Sequence, residues 1–232
     1  MDPIISPDTR RPERLPPRQV LTQKWPVLHA GPVPPFDPAT WDLTVFPIPL
    51  VDKIRRFNWA EFAALPRVAV FADMHCVTRW SKLNNLWEGV ATTELLKHVT
   101  VSPAAKYVMV HGEYGFSTNL PVEDFFADDA VFALRHDGAD LTPEHGHPVR
   151  LVIPRLYAWK SAKWVRGVEF MTDDRPGFWE SPEHGGYHMR GDPWTQNGRH
   201  PDGQRFRNAE EEAEEALGAS SSPSRPSEES RR

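Results

Sequence analysis

Apolar and polar positions alternate over Trp41-Asp42-Leu43-Thr44-Val45-Phe46, the period of a half-buried β-strand. A continuous apolar run, Val68-Ala69-Val70-Phe71, extends through Ala72-Asp73-Met74-His75 to Cys76 and predicts a buried strand that runs into a loop. Lys106 to Val110, Val149 to Ile153 and Trp164 to Met171 read as further strands. Ala130 to His136, then Asp137-Gly138, then Ala139 to Leu141 reads as a hairpin with a tight turn. Helical signals are brief. Asn58-Trp59-Ala60-Glu61 has the capping-box pattern, with an Asn acceptor and a Glu three residues on, and Pro66 closes that helix. Thr92 to His98 reads as a helix. Leu120 to Phe126 starts another, with Pro121 in its first turn and acids near its N-terminus. Gly112 to Gly115 reads as a turn. Strands dominate and do not alternate regularly with helices. The predicted class is therefore α+β, a mixed-sheet fold with many short strands and few short helices. There is no GxGxxG, no P-loop and no internal repeat.

Composition narrows this picture. Of 232 residues, 39% are hydrophobic and nine are Trp, which is enough apolar bulk for a real core. The 24 prolines favour short elements and loops over a helical bundle. A formal net charge of -5 argues against a nucleic-acid partner, whose phosphates demand a surplus of Lys and Arg. No apolar stretch is long enough for a membrane span, and the twin arginine Arg10-Arg11 is followed by none. The expected location is cytoplasmic. Residues 1–24 read as an extended arm, 25–205 as the functional domain, and 206–232, rich in acids, Ser and Pro, as a disordered tail.

Cys76 is the single cysteine, so it is buried filler, a nucleophile or a metal ligand. His75, Arg79 and Lys82 are local cations expected to favour the thiolate. A cysteine hydrolase would need a base such as His111, His145 or His188, yet no protease signature surrounds the thiol. His145 and His147 with Cys76 give three zinc-type donors at a spacing that fits no standard motif.

The second informative stretch, His145 to Arg166, carries Arg150, Arg155, Lys160, Lys163 and Arg166, and no acid lies between Glu144 and Glu169. Alternate positions on a strand share a face, and Arg matches phosphate geometry, so the stretch reads either as an anion cradle completed by Ser161 or as a solvated basic edge. One soft thiolate beside a separate anion cradle suggests a metal whose other ligands come from an anionic organic cofactor. Gly186 to Trp194, with two glycines, Pro193, Tyr187 and Trp194, reads as a fixed loop that edges a site or packs on the core.

Five ordered segments carry a resemblance. They are Asp73 to Ser81, Gly115 to Pro121, His145 to Arg150, Tyr157 to Trp164, and Gly186 to Trp194. Together they resemble the molybdopterin-binding domain of the sulfite oxidase family, and within it the stand-alone bacterial branch of sulfite oxidase-like oxidoreductases. The resemblance implies a sulfite-oxidase-type molybdopterin-binding fold and a molybdenum–molybdopterin cofactor, with Cys76 as the molybdenum ligand. By the same resemblance His145, Arg150, Ser161, Ala162 and Lys163 bind the cofactor, and Arg79 faces an anionic substrate. The implied activity is two-electron oxygen-atom transfer on a small sulfite-like or sulfoxide-like molecule, with a separate electron donor or acceptor. A cofactor-binding carrier module without turnover is the alternative. The Cys76-Val77-x-x-Trp80 pattern is nearer the methionine-sulfoxide reductase branch than the Cys-Ala-Gly-Asn-Arg setting of sulfite oxidases proper.

Overall fold

Two twisted sheets face each other across one core. The computed structural model describes residues 2–181, 184 and 191–194 of the 232. The tail expected for 206–232, His188, and most of the Gly186–Trp194 motif lie outside the described residues.

The strands in chain order are β1 (Ile4–Ile5), β2 (Val20–Leu21), β3 (Asp42–Phe46), β4 (Arg55–Asn58), β5 (Val68–His75), β6 (Trp80–Ala91), β7 (Tyr107–Gly112), β8 (Ser117–Pro121), β9 (Val131–His136), β10 (Ala139–Asp140), β11 (Arg150–Val152) and β12 (Val165–Met171). Two short α-helices join them, α1 (Trp59–Ala63) and α2 (Val122–Phe125). The larger sheet runs β1-β5-β6-β9-β10, with β2 also on β6 and β11 also on β9. The smaller sheet runs β4-β3-β12-β7-β8, with β12 parallel to β3 and antiparallel to β7.

The period of two sorts side chains between two apolar layers. Phe132 and Leu134 of β9, Val90 of β6 and Leu151 of β11 point at the smaller sheet. There they pack with Leu43, Val45, Val108, Val110, Val168 and Phe170. Phe57, Phe62, Phe125, Phe132 and Phe170 are essentially sealed from solvent in this layer. Each such ring contributes roughly 1.5–3 kcal/mol of hydrophobic stabilisation. The intervening residues Val131, Ala133, Trp87 and Val152 point to the opposite face of the larger sheet, with Val70, Ala72 and Met74. That second face carries the candidate site.

The α1 cap forms as expected. Asn58 Oδ1 accepts from the Glu61 N–H at 2.9 Å, and a Glu61 carboxylate oxygen accepts from the Asn58 N–H at 3.0 Å. The predicted hairpin appears as β9 and β10 around Asp137-Gly138. Thr92–Lys97 is a tighter 3-10 helix rather than an α-helix. The longest strand, β6, is not announced by the apolar pattern. Asn84 adopts a left-handed φ of 60°, and the pairing shifts register between Ala72 and Met74 and again between Glu88 and Gly89. These bulges interrupt the alternation without interrupting the strand. At Gly89 a Cβ would meet the Phe132 carbonyl oxygen at 2.0 Å, so only glycine allows β6 and β9 to approach there.

The N-terminal arm is extended and is laid on the larger sheet. β1 pairs in parallel with β5, and β2 pairs in parallel with the start of β6. Arg14 grips buried Asp73 with two hydrogen bonds, at 2.9 Å from Nε and 2.6 Å from Nη2.

Candidate active site

β5 delivers Cys76 to a tight turn. The Cys76 N–H donates to the Trp80 carbonyl at 2.9 Å, and the Arg79 N–H donates to the Cys76 carbonyl at 2.9 Å. Arg79 takes a left-handed φ of 71° to close this turn. The thiol is buried, with Thr78 Oγ1 donating to Sγ at 3.1 Å. Burial pushes the thiol pKa up, while the Thr78 hydroxyl, the backbone N–H groups of Thr78 and Val77, and the charge on Lys163 pull it down. The neighbouring cations expected to favour the thiolate act otherwise. Burial lowers His75 to about 4, which leaves it neutral, and Lys82 is bound to Asn85 and Asp137. Lys163, distant from Cys76 in sequence, brings a positive charge that lowers the thiol pKa.

The cation-rich stretch does not form one cradle. Arg155 faces Asp129 and Asp124, Lys160 is buried on Glu180, and Arg166 bridges Asp42 and Glu113. Chain folding supplies the acids that the local sequence lacks. Arg150 and Lys163 are different, because their hydrogen-bond partners are carbonyl oxygens. Arg150, 3% exposed, donates to the carbonyls of His145 at 3.1 Å and Ser161 at 3.2 Å. Burial pulls its pKa down to about 9. Lys163 Nζ donates to the carbonyls of Leu28 at 2.9 Å and Glu144 at 2.6 Å. Burial, then the charge on Arg150, brings it down to about 7. Gly146, at a φ of 108°, lets the turn before β11 press on both: a Cβ there would lie 3.0 Å from Arg150 Cβ and 3.1 Å from Lys163 Cβ.

Cys76, Arg150, Ser161 and Lys163 line one cavity of about 280 Å³. Its walls are chiefly Trp25, Met74, Trp80, Phe116, Trp159, Trp164 and Trp179. Two cations that form no ion pair with a carboxylate among the described residues, facing an aromatic cavity with a soft thiol, fit an anionic, planar organic group that brings a metal. Trp80 adds a buried indole N–H without a hydrogen-bond partner. Among the described residues no three His, Cys, Asp or Glu side chains gather as a metal site of protein ligands alone.

The remaining expected residues sit elsewhere. His145 is behind the wall, stacked on Trp25 with ring centroids 3.8 Å apart, and its Nε2 contacts the Trp25 carbonyl at 3.2 Å. Ala162 is core, and its carbonyl accepts from the Leu151 N–H at 2.7 Å. Arg79 is not among the cavity-lining residues. His111 is paired with Glu169 at 2.9 Å, and His147 lies in a separate hollow of about 180 Å³ beyond Trp164. The sequence reading missed Gln19 of the arm and Trp25 just past its end. Gln19 Nε2 donates to the Cys76 carbonyl at 3.0 Å. A Trp within the proline-flanked stretch Lys24-Trp25-Pro26 is the one local signal that this arm does more than trail.

Residues 30–179 match the family described as oxidoreductase molybdopterin binding domain, and the chain belongs to that family. It is an enzyme of the molybdopterin-binding oxidoreductase class. An uncharacterized oxidoreductase, YuiH of Bacillus subtilis, is 48% identical over 182 residues, covering 78% of this chain and 89% of the relative. The protein-methionine-sulfoxide reductase catalytic subunit MsrP of Campylobacter jejuni is 28% identical over 206 residues, and the match spans 60% of its length. The fold is also that of the sulfane dehydrogenase SoxCD from Paracoccus pantotrophus, with a TM-score of 0.58 at 22% identity, over 65% of this chain and 43% of that one. Among the described residues no helix is long and apolar enough to cross a membrane.

Proposed function

We propose that the protein is a molybdenum-cofactor-dependent oxidoreductase in which Cys76 ligates molybdenum and Arg150 and Lys163 hold the anionic end of the molybdopterin. The observation that carries this reading is the meeting of the Cys76 thiol with two cations, Arg150 and Lys163, whose hydrogen bonds among the described residues go to backbone carbonyls, on one aromatic cavity. When bound, the cofactor would supply two-electron oxygen-atom transfer, the chemistry by which a sulfoxide-like or sulfite-like molecule gains or loses oxygen.

The chain's own residues prepare this in three ways. The Thr78 hydroxyl and the backbone N–H groups of Val77 and Thr78 donate toward Sγ, which favours the thiolate form that a metal requires. Arg150 is charged at neutral pH, while Lys163, near 7, takes up a proton more readily when an anion arrives beside it. The indole walls lower the local polarity around these charges, so each acts at greater strength than in bulk solvent. His145 positions Trp25 rather than reaching the cavity, and Ala162 presents its backbone. Arg79 closes the turn that aims Cys76 with its left-handed backbone, and it is not among the residues that line the cavity.

Metal and pterin analysis of protein purified from a molybdenum-replete host tests the reading. Near-stoichiometric molybdenum is expected, with loss on Cys76→Ser. Folded protein without molybdenum overturns it.

A further inference from the structure

We propose that residues 23–30 form a strap that opens to admit the cofactor and closes over it, with Lys163 coupling the closed strap to the bound anion. This rests on the function proposed above, because it takes the cavity as the place of the cofactor.

The strap is one wall of the cavity. Trp25, Pro26, Leu28, His29 and Ala30 all line it. Val27 and Leu28 are 47% and 51% exposed, so the other side of the same segment meets solvent. A single layer of chain separates the cavity from water there.

This wall is held differently from the others. Residues 22–41 form neither helix nor strand. Among the described residues, the body reaches the main chain of the strap through side chains. His145 Nε2 contacts the Trp25 carbonyl at 3.2 Å, and Lys163 Nζ donates to the Leu28 carbonyl at 2.9 Å. Rings complete the hold: Trp25 stacks on His145, and His29 meets Trp164 edge-on with centroids 5.4 Å apart. The flanks are fixed. The Thr22 N–H donates to the Ser81 carbonyl at 2.9 Å, and Phe36 packs edge-on against Trp59 and His147, each at 5.0 Å.

The other walls are tied more firmly. Met74 and Trp80 lie on the paired strands β5 and β6, and Arg150 lies on β11, paired with β9. Trp159 and Trp179 lie on two segments joined by the buried pair of Lys160 and Glu180. A segment with fixed ends and only side-chain tethers between them opens at lower cost than a strand within a sheet.

Lys163 makes opening depend on the occupant. It lines the cavity and also holds the strap. With its pKa brought down to about 7, an anion in the cavity shifts it toward the charged form. A charged ammonium holds a carbonyl more strongly than a neutral amine does. Occupancy therefore strengthens the tether, and by reciprocity the closed strap holds the occupant more tightly.

The test compares full-length protein from a molybdenum-replete host with protein from a host that cannot make the pterin, after molybdenum and pterin content are measured. Trypsin cleavage after exposed Lys24, within the strap, is followed by mass spectrometry, with exposed Lys53 as the reference site. Cleavage after Lys24 should be about tenfold slower in loaded protein, and cleavage after Lys53 should be the same in both. Val27 is not among the residues lining the cavity, so Val27→Gly adds backbone freedom to the open strap without touching the occupant. It should leave the initial molybdenum content unchanged. In loaded protein it should speed both cleavage after Lys24 and molybdenum loss on dialysis by about two- to fivefold. Equal cleavage after Lys24 with and without cofactor overturns the inference, as does faster cleavage in Val27→Gly with unchanged molybdenum loss. Absent molybdenum is a different result, read in the first measurement, and overturns the function on which the inference rests.

Discussion

Gln19 holds the peptide that carries the Cys76 thiol, donating from Nε2 to its carbonyl oxygen at 3.0 Å across 57 residues of chain. Gln19 Oε1 in turn accepts from Ser81 Oγ at 3.1 Å, and Ser81 Oγ lies 2.8 Å from His75 Nδ1. The arm therefore fixes both strands of the turn. Gln19→Ala should cost about 1–2 kcal/mol in urea unfolding, the usual range for a part-buried hydrogen bond with partners left behind. It should also shorten molybdenum retention during dialysis. Unchanged retention would show that β5 and β6 alone set the thiol.

Replacing Cys76 with Ser exchanges a soft ligand for a hard hydroxyl of similar size. The fold should persist, with stability within about 1 kcal/mol of wild type, while molybdenum content and oxo transfer are lost. Elemental analysis beside a thermal melt separates ligand loss from unfolding.

Arg150 is a buried cation whose partners are carbonyls, lying 5.2 Å above Trp25 and 5.6 Å above Trp87. Desolvation of such a charge opposes folding. Arg150→Met should leave cofactor-free protein as stable as wild type or more stable by roughly 1 kcal/mol, and should strip the pterin from loaded protein. Urea midpoints of both forms, with pterin content, read the two effects separately. A large loss of stability in the cofactor-free form would make Arg150 a structural residue instead.

The Lys160–Glu180 pair carries the opposite expectation. Burial pulls Lys160 below and Glu180 above their ordinary pKa values, against their mutual attraction. Glu180→Ala leaves the Lys160 charge buried with only the Asn119 oxygens accepting from it and should cost about 3–5 kcal/mol, whereas the double variant Lys160→Met, Glu180→Leu should recover most of it. Equal losses in the single and double variants would show that the charges are not what joins the two segments.

His136 lies against Trp25 and Trp87, with ring centroids 4.3 and 4.4 Å away, and Nε2 donates to Asn85 Oδ1 at 2.9 Å. Burial lowers its pKa from 6.5 to about 4. The unfolded chain thus takes up this proton first. The stability contribution is complete above 6.5 and is lost as pH falls from there toward about 4. His75, at about 4, acts in the same sense. Thermal midpoints should fall through this window in wild type and fall less in His136→Gln; parallel curves would assign the acid sensitivity elsewhere.

The sheet class, the α1 cap, the Asp137-Gly138 hairpin and the strand leading to Cys76 were legible because each is written in neighbouring residues. β6 was not, because Asn84 and Gly89 serve bulges that exist only once β5 and β9 are beside it. The cation stretch was legible in part. Its charges were visible, but whether each met an acid depended on Asp42, Glu113, Asp124, Asp129 and Glu180, all outside it. Trp25 and Gln19 were missed for a related reason: a stretch of Pro and Arg shows no periodicity, and the contacts of Gln19 and Trp25 with the site are made at long range.

β12 sits at the centre of the smaller sheet, between β3 and β7, although it is the last strand among the described residues. On the ribosome, β3 and β4 therefore emerge well before the strand that joins them to β7 and β8. Until residues 165–171 leave the exit tunnel, Leu43, Val45, Val108 and Val110 lack the strand that unites their two halves of the sheet. Lys163 emerges immediately before that strand, so the nascent chain completes its Arg150–Lys163 pair and its closed core in one late event, and any shorter translation product presents both halves of the sheet as open edges to chaperones and proteases.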